Sequence, residues 1–197
     1  MMKASMDSVA VAILSGGMSS RMGKPKTDLL VPNADGNVTF LERLCRNFSA
    51  FSYRYIAINA TQDIQMPGFV SIVDKFEKIG PIGGIYSVLK ESSTEAVFFI
   101  ACDMPSFSME CAMRILEKWN KESPCFAVVN GHREPLVGIY TKNCIPLLEK
   151  LISEKKYKLG IFHEQMKSQV IDMSEFESDF TNINTMDDYE KMKEMER

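Results

Sequence analysis

Val9-Ala10-Val11-Ala12-Ile13-Leu14-Ser15-Gly16-Gly17-Met18-Ser19-Ser20-Arg21-Met22-Gly23-Lys24-Pro25-Lys26 is the stretch on which the reading of this chain turns. Its first six residues are apolar without a break, the pattern of a buried β-strand. Two glycines follow at once, where a backbone can turn sharply and approach a ligand with no Cβ in the way. One arginine and two lysines then fall close to that bare backbone. Phosphate oxygens ask for both parts: N–H groups from a glycine-rich loop, and cations to offset several negative charges. The stretch reads as a grip for a nucleoside triphosphate. The plainer alternative is a strand–turn–helix junction whose cations are merely solvated.

Two common grips fail on spacing. A Walker A loop needs Gly, four residues, Gly-Lys and then a hydroxyl for magnesium. Gly17 stands too far from Gly23-Lys24, and Pro25 occupies the hydroxyl position. A dinucleotide fingerprint needs G-x-G-x-x-G, which Gly16, Gly17 and Gly23 do not form.

Working outward, apolar runs alternate with helix-length amphipathic segments. Strands are expected near 9–15, 55–59, 69–73, 96–101, 125–130 and 135–141, and helices near 39–49, 82–90, 107–121, 143–153, 158–166 and 186–195. That alternation predicts a Rossmann-like α/β/α sandwich with a mainly parallel central sheet, in one domain over 1–197. Residues 1–7 read as a frayed tail. Asn33 to Asn37, with Pro32 and Gly36, read as an exposed turn. Met186 to Arg197 reads as a solvated surface helix capped by Thr185.

Open α/β sheets bind ligands beyond the carboxyl ends of their strands. Gly16-Gly17, Asn59, Asp74 and Asp103 each stand at such an end, so they are expected on one rim. Asn59 or Asp74 alone could equally cap the following helix. Asp103, presented by Pro105, can hold Mg²⁺, a hard cation that completes its shell from water and phosphates. The competing role for Asp103 is a helix cap. Arg21 and Lys26 would offset charge on the transferring phosphate. Arg133, His132 and Lys142 surround Glu134-Pro135-Leu136 and could face an anionic acceptor, although His132 also suits a solvated loop. His163 reads as a surface or packing residue. Asn182 and Asn184 alternate, so in extended chain they share a face. They would line the acceptor side or lock the loop.

The net charge of −3 lacks the basic face of a nucleic-acid binder. Five cysteines with no C-x-x-C pair and no signal peptide read as reduced cytosolic thiols, and no stretch is apolar for long enough to span a membrane. A cytoplasmic protein with neither nucleic acid nor membrane as partner is expected.

The run from Leu14 to Lys26 resembles the nucleotidyltransferase signature L-[AS]-G-G-x-S-x-R-M-G-x-x-K, and most closely that of the molybdenum cofactor guanylyltransferase (MobA) family. Gly80-Pro81-Ile82-Gly83-Gly84-Ile85, Cys102-Asp103-Met104-Pro105, Arg133-Glu134-Pro135-Leu136 and Phe180-Thr181-Asn182-Ile183-Asn184-Thr185 resemble later family motifs in the family's order. The resemblance implies a nucleotide-diphospho-sugar transferase type of fold. It also implies transfer of GMP from GTP to molybdopterin or molybdenum-loaded molybdopterin, with Mg²⁺ and release of pyrophosphate.

By the same resemblance, Arg21, Lys26 and Asp103 are catalytic and Asp103 holds the metal. Leu14, Ser15, Gly16, Gly17, Lys26, Asn59, Asp74, Gly84 and Asp103 bind nucleotide. From their placement in the later motifs, Arg133, Pro135, Asn182 and Asn184 are the residues expected on the acceptor side. Proteins of the cofactor pathway and recipient molybdoenzymes are the implied partners. Lys24-Pro25-Lys26 departs from the family pattern, which has Asp before the key lysine, and is similar to the P-K of isoprenoid cytidylyltransferases. That leaves CTP, or a sugar-phosphate acceptor, as the alternative.

Overall fold

The computed structural model describes residues 6–15, 29–33 and 36–195. Its central sheet has seven strands: β1 (Val9–Leu14), β4 (Arg54–Ile58), β5 (Val70–Val73), β6 (Ala96–Ala101), β7 (Cys125–Val129), β8 (His132–Thr141) and β9 (Gln169–Asp172). They lie in the order β5-β4-β1-β6-β8-β7-β9. β8 runs antiparallel to both its neighbours, and the other pairings are parallel.

β1 and β6 are buried along their whole length. That explains their unbroken apolar sequence, since a central parallel strand is covered on both faces. Successive side chains divide between two cores. Val9, Val11 and Ile13 enter one with Phe98 and Ile100, against α1 (Phe40–Asn47) and α3 (Met109–Lys118). Ala10, Ala12 and Leu14 enter the other with Val97 and Phe99, against α2 (Pro81–Glu91), α4 (Ile145–Ser153) and α5 (Leu159–Met166). The period of two is that of a pleated strand.

Two helix starts are written in the sequence. Thr39 and Glu42 form a complete capping box at α1, which satisfies two orphan N–H groups at once. Hydrogen bonds from the backbone and hydroxyl of Thr39 hold the Glu42 carboxyl below its usual range. α2 opens with Gly80 as N-cap and Pro81 in its first turn, where the missing N–H costs nothing.

Four expectations need correction. The segment around Asn33–Asn37 is a hairpin of β2 (Leu30–Asn33) and β3 (Gly36–Thr39), not a plain exposed turn. α6 (Met186–Met195) is capped by Thr185 as expected, yet it is not simply solvated. Tyr189 and Met192 are buried with Val31, Val38, Phe40 and Ile183, and the Tyr189 hydroxyl donates to the Leu30 carbonyl at 2.6 Å. At the other end, Met6 packs on the core and its carbonyl accepts from Ser52, so the chain is anchored from there. Finally, β8 begins at His132, because Asn130 (φ 49°) and Gly131 (φ 81°) make a tight turn out of β7. Both residues take positive φ, as a two-residue hairpin of matching twist demands.

All five cysteines are free and buried. Among the described residues, no helix is long and apolar enough to cross a membrane.

Candidate active site

The carboxyl ends of β1, β4 and β5 open into a cavity of about 640 Å³ that also borders the start of α2. Leu14, Asn59, Asp74 and Gly84 all line it, and Phe76 and Lys78 complete one wall. Strand order alone brings these sequence-distant residues together. Gly84 matters through its missing side chain: a Cβ there would sit 3.3 Å from both Ala57 and Leu14.

Asp74 leaves the end of β5 with its backbone N–H donating to the Ile58 carbonyl at 2.7 Å. Its Oδ1 accepts from the Phe76 N–H at 2.9 Å and the Ser87 hydroxyl at 3.2 Å. Burial pushes its carboxyl up, against the pull of those two bonds. A Cβ on Gly83 would lie 2.6 Å from Oδ2, so the second glycine of the Gly83-Gly84 pair to matter is the one that admits this carboxylate. Asn59 closes a turn instead: its Oδ1 accepts from both the N–H and the hydroxyl of Thr61.

Ser15 works inward. Its N–H and hydroxyl both donate to the Ala57 carbonyl, at 3.0 and 2.7 Å, which locks the end of β1 to β4. Gln62, which sequence reasoning passed over, accepts from the Asn59 N–H at 2.9 Å and donates to the Ser15 carbonyl at 3.4 Å. No motif marks a glutamine in that role. Gly16, Gly17, Arg21 and Lys26 lie outside the described residues.

Asp103 stands just past β6, next to the end of β1, where the Cys102 N–H donates to the Leu14 carbonyl at 3.1 Å. The Asp103 carbonyl accepts from the Ile183 N–H at 2.9 Å, so the Asn182-Ile183-Asn184 motif is seated on this aspartate. The cap of α3 is Ser108. That role, the competing one for Asp103, is filled elsewhere, and Ser108 is itself held by Asp179 at 2.6 Å.

The Arg133-Glu134-Pro135 motif divides. Arg133 extends over the Phe126 ring and toward Glu164, at 5.9 and 3.9 Å. Glu134 turns to the site instead: burial pushes its carboxyl up, a hydrogen bond from Asn182 lowers it, and the Asp103 charge raises it again. Sequence reasoning quoted Glu134 inside the motif but gave the acceptor role to its neighbours. Asn182 joins this group, whereas the Asn184 N–H serves the start of α6 through the Asp188 carboxylate.

Pro135 lies in a bulge. Phe126 faces Gly138, but the next residue, Ala127, faces Glu134. Proline in a sheet is confined to such places, since it lacks an N–H for the ladder. The Pro135 carbonyl accepts from the Tyr140 hydroxyl at 2.6 Å. His163 is 4% exposed and lies 2.9 Å from both the Tyr140 hydroxyl and that of Ser168. It is therefore a packing residue within a polar network.

Burial pulls His163 down to about 4. In the unfolded chain its pKa is about 6.5. Between these values the unfolded state binds the extra proton, so stability is full above about pH 6.5 and falls as pH drops toward 4. The loss is expected to be on the order of 2–3 kcal/mol. Urea denaturation of wild type and His163→Gln at pH 7.5, 6 and 5 checks this. The variant's curve should be flatter over that window, and equal slopes would refute it.

A family model for the MobA-like NTP transferase domain matches residues 11–169. The chain belongs to the MobA-like NTP transferase family. It is thus a nucleotidyltransferase. A Carboxydothermus hydrogenoformans protein named "Probable molybdenum cofactor guanylyltransferase" is 31% identical over 95% of this chain and 96% of its own. A Vibrio vulnificus "Molybdenum cofactor guanylyltransferase" is 28% identical over 93% and 94%. The fold of this MobA-like transferase matches that of molybdopterin-guanine dinucleotide biosynthesis protein A from Archaeoglobus fulgidus, with a TM-score of 0.74 and 21% identity over 95% and 98% of the two chains. It also matches the Thermus thermophilus 2-C-methyl-D-erythritol 4-phosphate cytidylyltransferase, with a TM-score of 0.71 and 14% identity over 95% and 98%.

Proposed function

We propose that this transferase moves GMP from GTP to molybdopterin or its molybdenum-loaded form, releasing pyrophosphate. The observation that carries the reading is the rim itself: the cavity walled by Asp74 is lined by Leu14 at the end of β1, whose carbonyl is bonded by the Cys102 N–H next to Asp103. One part suits a base and ribose, and the other suits the reacting phosphates. Its curated relatives carry names of the same activity.

In this reading Asp74 accepts from guanine N1–H and N2–H₂, a donor pair that cytosine lacks. The glycine loop, Arg21 and Lys26 take the triphosphate and offset its charge. An oxygen of the acceptor's terminal phosphate attacks the α-phosphorus, a new P–O bond forms, and the bond to the β-phosphate breaks with pyrophosphate leaving.

Asp103, with Glu134 and Asn182 beside it, presents hard oxygen donors of the kind Mg²⁺ takes, so the residues fit that ion and Asp103 would hold it. When bound, it supplies charge neutralisation at the phosphates. Recipient molybdoenzymes and other proteins of the cofactor pathway are the expected partners.

Calorimetric titration with GTP and CTP, each with and without Mg²⁺, tests the proposal. Preference for GTP that strengthens with Mg²⁺ is expected, and preference for CTP would overturn it. Gly83→Ala belongs in the same experiment. Its Cβ would force the Asp74 carboxylate aside, so GTP affinity should fall about tenfold, the value of one charged hydrogen bond. Unchanged affinity would remove Asp74 from base recognition.

A further inference from the structure

We infer that Tyr189 is a positioning residue for the transferase: with Ile183 it makes the start of α6 a brace of fixed length between Asp103 and Leu30, where β2 begins. The inference rests on the reading given above, in which Asp103 holds the metal and Arg21 and Lys26 take the triphosphate.

β2 follows the segment that carries Arg21 and Lys26. With β3 it forms a two-stranded sheet of its own, apart from the seven-stranded sheet whose β6 leads to Asp103. Strand pairing therefore does not set the distance from β2 to Asp103, and a lone hairpin is marginal in water. Other contacts must seat it. β3 runs on into α1, whose apolar side chains enter the core. The Phe40 N–H takes the Leu29 carbonyl at 2.9 Å, on the β3 side. Successive carbonyls of a strand point to opposite edges. That of Leu30 faces the outer edge, and there the Tyr189 hydroxyl donates to it at 2.6 Å.

From Tyr189 the chain leads back to Asp103 without slack. The Ile183 N–H donates to the Asp103 carbonyl at 2.9 Å, and the Ile183 side chain is fully buried in one cluster with Val31 and Val38. Between the two contacts, the Thr185 hydroxyl accepts from the Asp188 N–H at 3.1 Å, and the Asp188 carboxylate accepts from the Thr185 N–H at 2.9 Å. Such a reciprocal box fixes the first turn of a helix. The Tyr189 N–H closes that turn on the Thr185 carbonyl at 3.1 Å, and its ring lies 6.0 Å from that of Phe40. A rigid piece thus carries the position of Asp103 to the backbone of β2. A triphosphate shared by the metal aspartate and the loop cations needs the two at a set separation, because positioned charge is most of what the chemistry asks.

The test is calorimetric titration of wild type, Tyr189→Phe and Met192→Ala with and without Mg²⁺, together with thermal melts. The nucleotide is the one wild type prefers, so failure of the GTP reading leaves this test intact. Tyr189→Phe keeps the ring on Phe40 and loses only the hydroxyl. Its affinity without Mg²⁺ should match wild type, while the gain in affinity on adding Mg²⁺ should shrink about fivefold. Its melting temperature should fall by no more than about 4 °C. Met192→Ala removes packing from the same cluster and leaves both brace bonds in place. It should melt lower than Tyr189→Phe and keep the full Mg²⁺ gain. A full Mg²⁺ gain in Tyr189→Phe, or losses of gain that simply follow melting temperature in both variants, would overturn the inference and leave the metal reading of Asp103 standing. A wild-type protein with no Mg²⁺ gain would refute that reading, and the inference with it.

Discussion

Asp103→Asn is expected to lower the rate of nucleotidyl transfer by a factor on the order of 10³ while the protein melts within a degree or two of wild type. The size follows from the role. Transfer to phosphorus asks for little covalent work and depends on positioned charge, and removing one such element typically costs two to three powers of ten. The stability forecast follows from the hydrogen bonds. The contact that ties this residue to the C-terminal motif uses the Asp103 carbonyl, taken by the Ile183 N–H, and a side-chain substitution leaves it in place. Steady-state rates with GTP and molybdopterin, together with thermal melts, check both halves. A variant that retains a tenth or more of wild-type activity would remove Asp103 from the chemistry. One that loses activity together with a large drop in melting temperature would assign it to the scaffold.

Gly138→Ala should produce the largest loss of stability among substitutions of the described glycines. A Cβ there would lie 2.1 Å from the Cys125 carbonyl oxygen and 2.8 Å from the Phe126 Cα. These are backbone atoms of the neighbouring strand, so no side chain can swing away to make room. The strands must part, at a cost of about 3 kcal/mol or more, equivalent to roughly 10 °C in melting temperature for a chain of this size. Gly160→Ala is the control. It lies in α5 with nothing within 4 Å of the added Cβ, and alanine there should be neutral or stabilising by about 0.5–1 kcal/mol. Equal melting temperatures for the two variants would mean that β7 and β8 do not approach as closely as described. Gly138 is also the last regular partner of β7 before the bulge that holds Pro135.

Both predictions turn on features that the sequence announced unequally. Asp103 was visible because it ends an apolar run whose neighbours are also apolar runs ending in polar residues. Strand order then puts their ends on one rim, and the cavity lined by Leu14, Asn59, Asp74 and Gly84 lies there. Gly83 could not be separated from Gly84 by pattern. Only the approach of the Asp74 carboxylate distinguishes them. Glu134 was hidden for a similar reason. Along an ideal strand it alternates with Arg133, and nothing in Arg133-Glu134-Pro135 says which one faces the site. Ser15 is expected among the nucleotide-binding residues, yet its hydroxyl donates to the Ala57 carbonyl.

The local elements follow from short-range physics. An apolar run long enough for one strand, the Thr39–Glu42 capping box and Thr185 ahead of α6 each specify themselves within a few residues. So does the placement of polar residues at strand ends, and with it the class of fold and the rim that binds ligand. What lay beyond the sequence depends on partners far along the chain. The hairpin of β2 and β3 needs Ile183, Tyr189 and Met192 to bury its inner face. The bulge at Pro135 needs the Tyr140 hydroxyl, itself held by His163, to bind the Pro135 carbonyl. A strand's direction of burial is decided by which surfaces meet when the chain is packed. A period of two or of 3.6 carries the shape of an element, whereas the identity of the neighbour exists only once the sheet has formed.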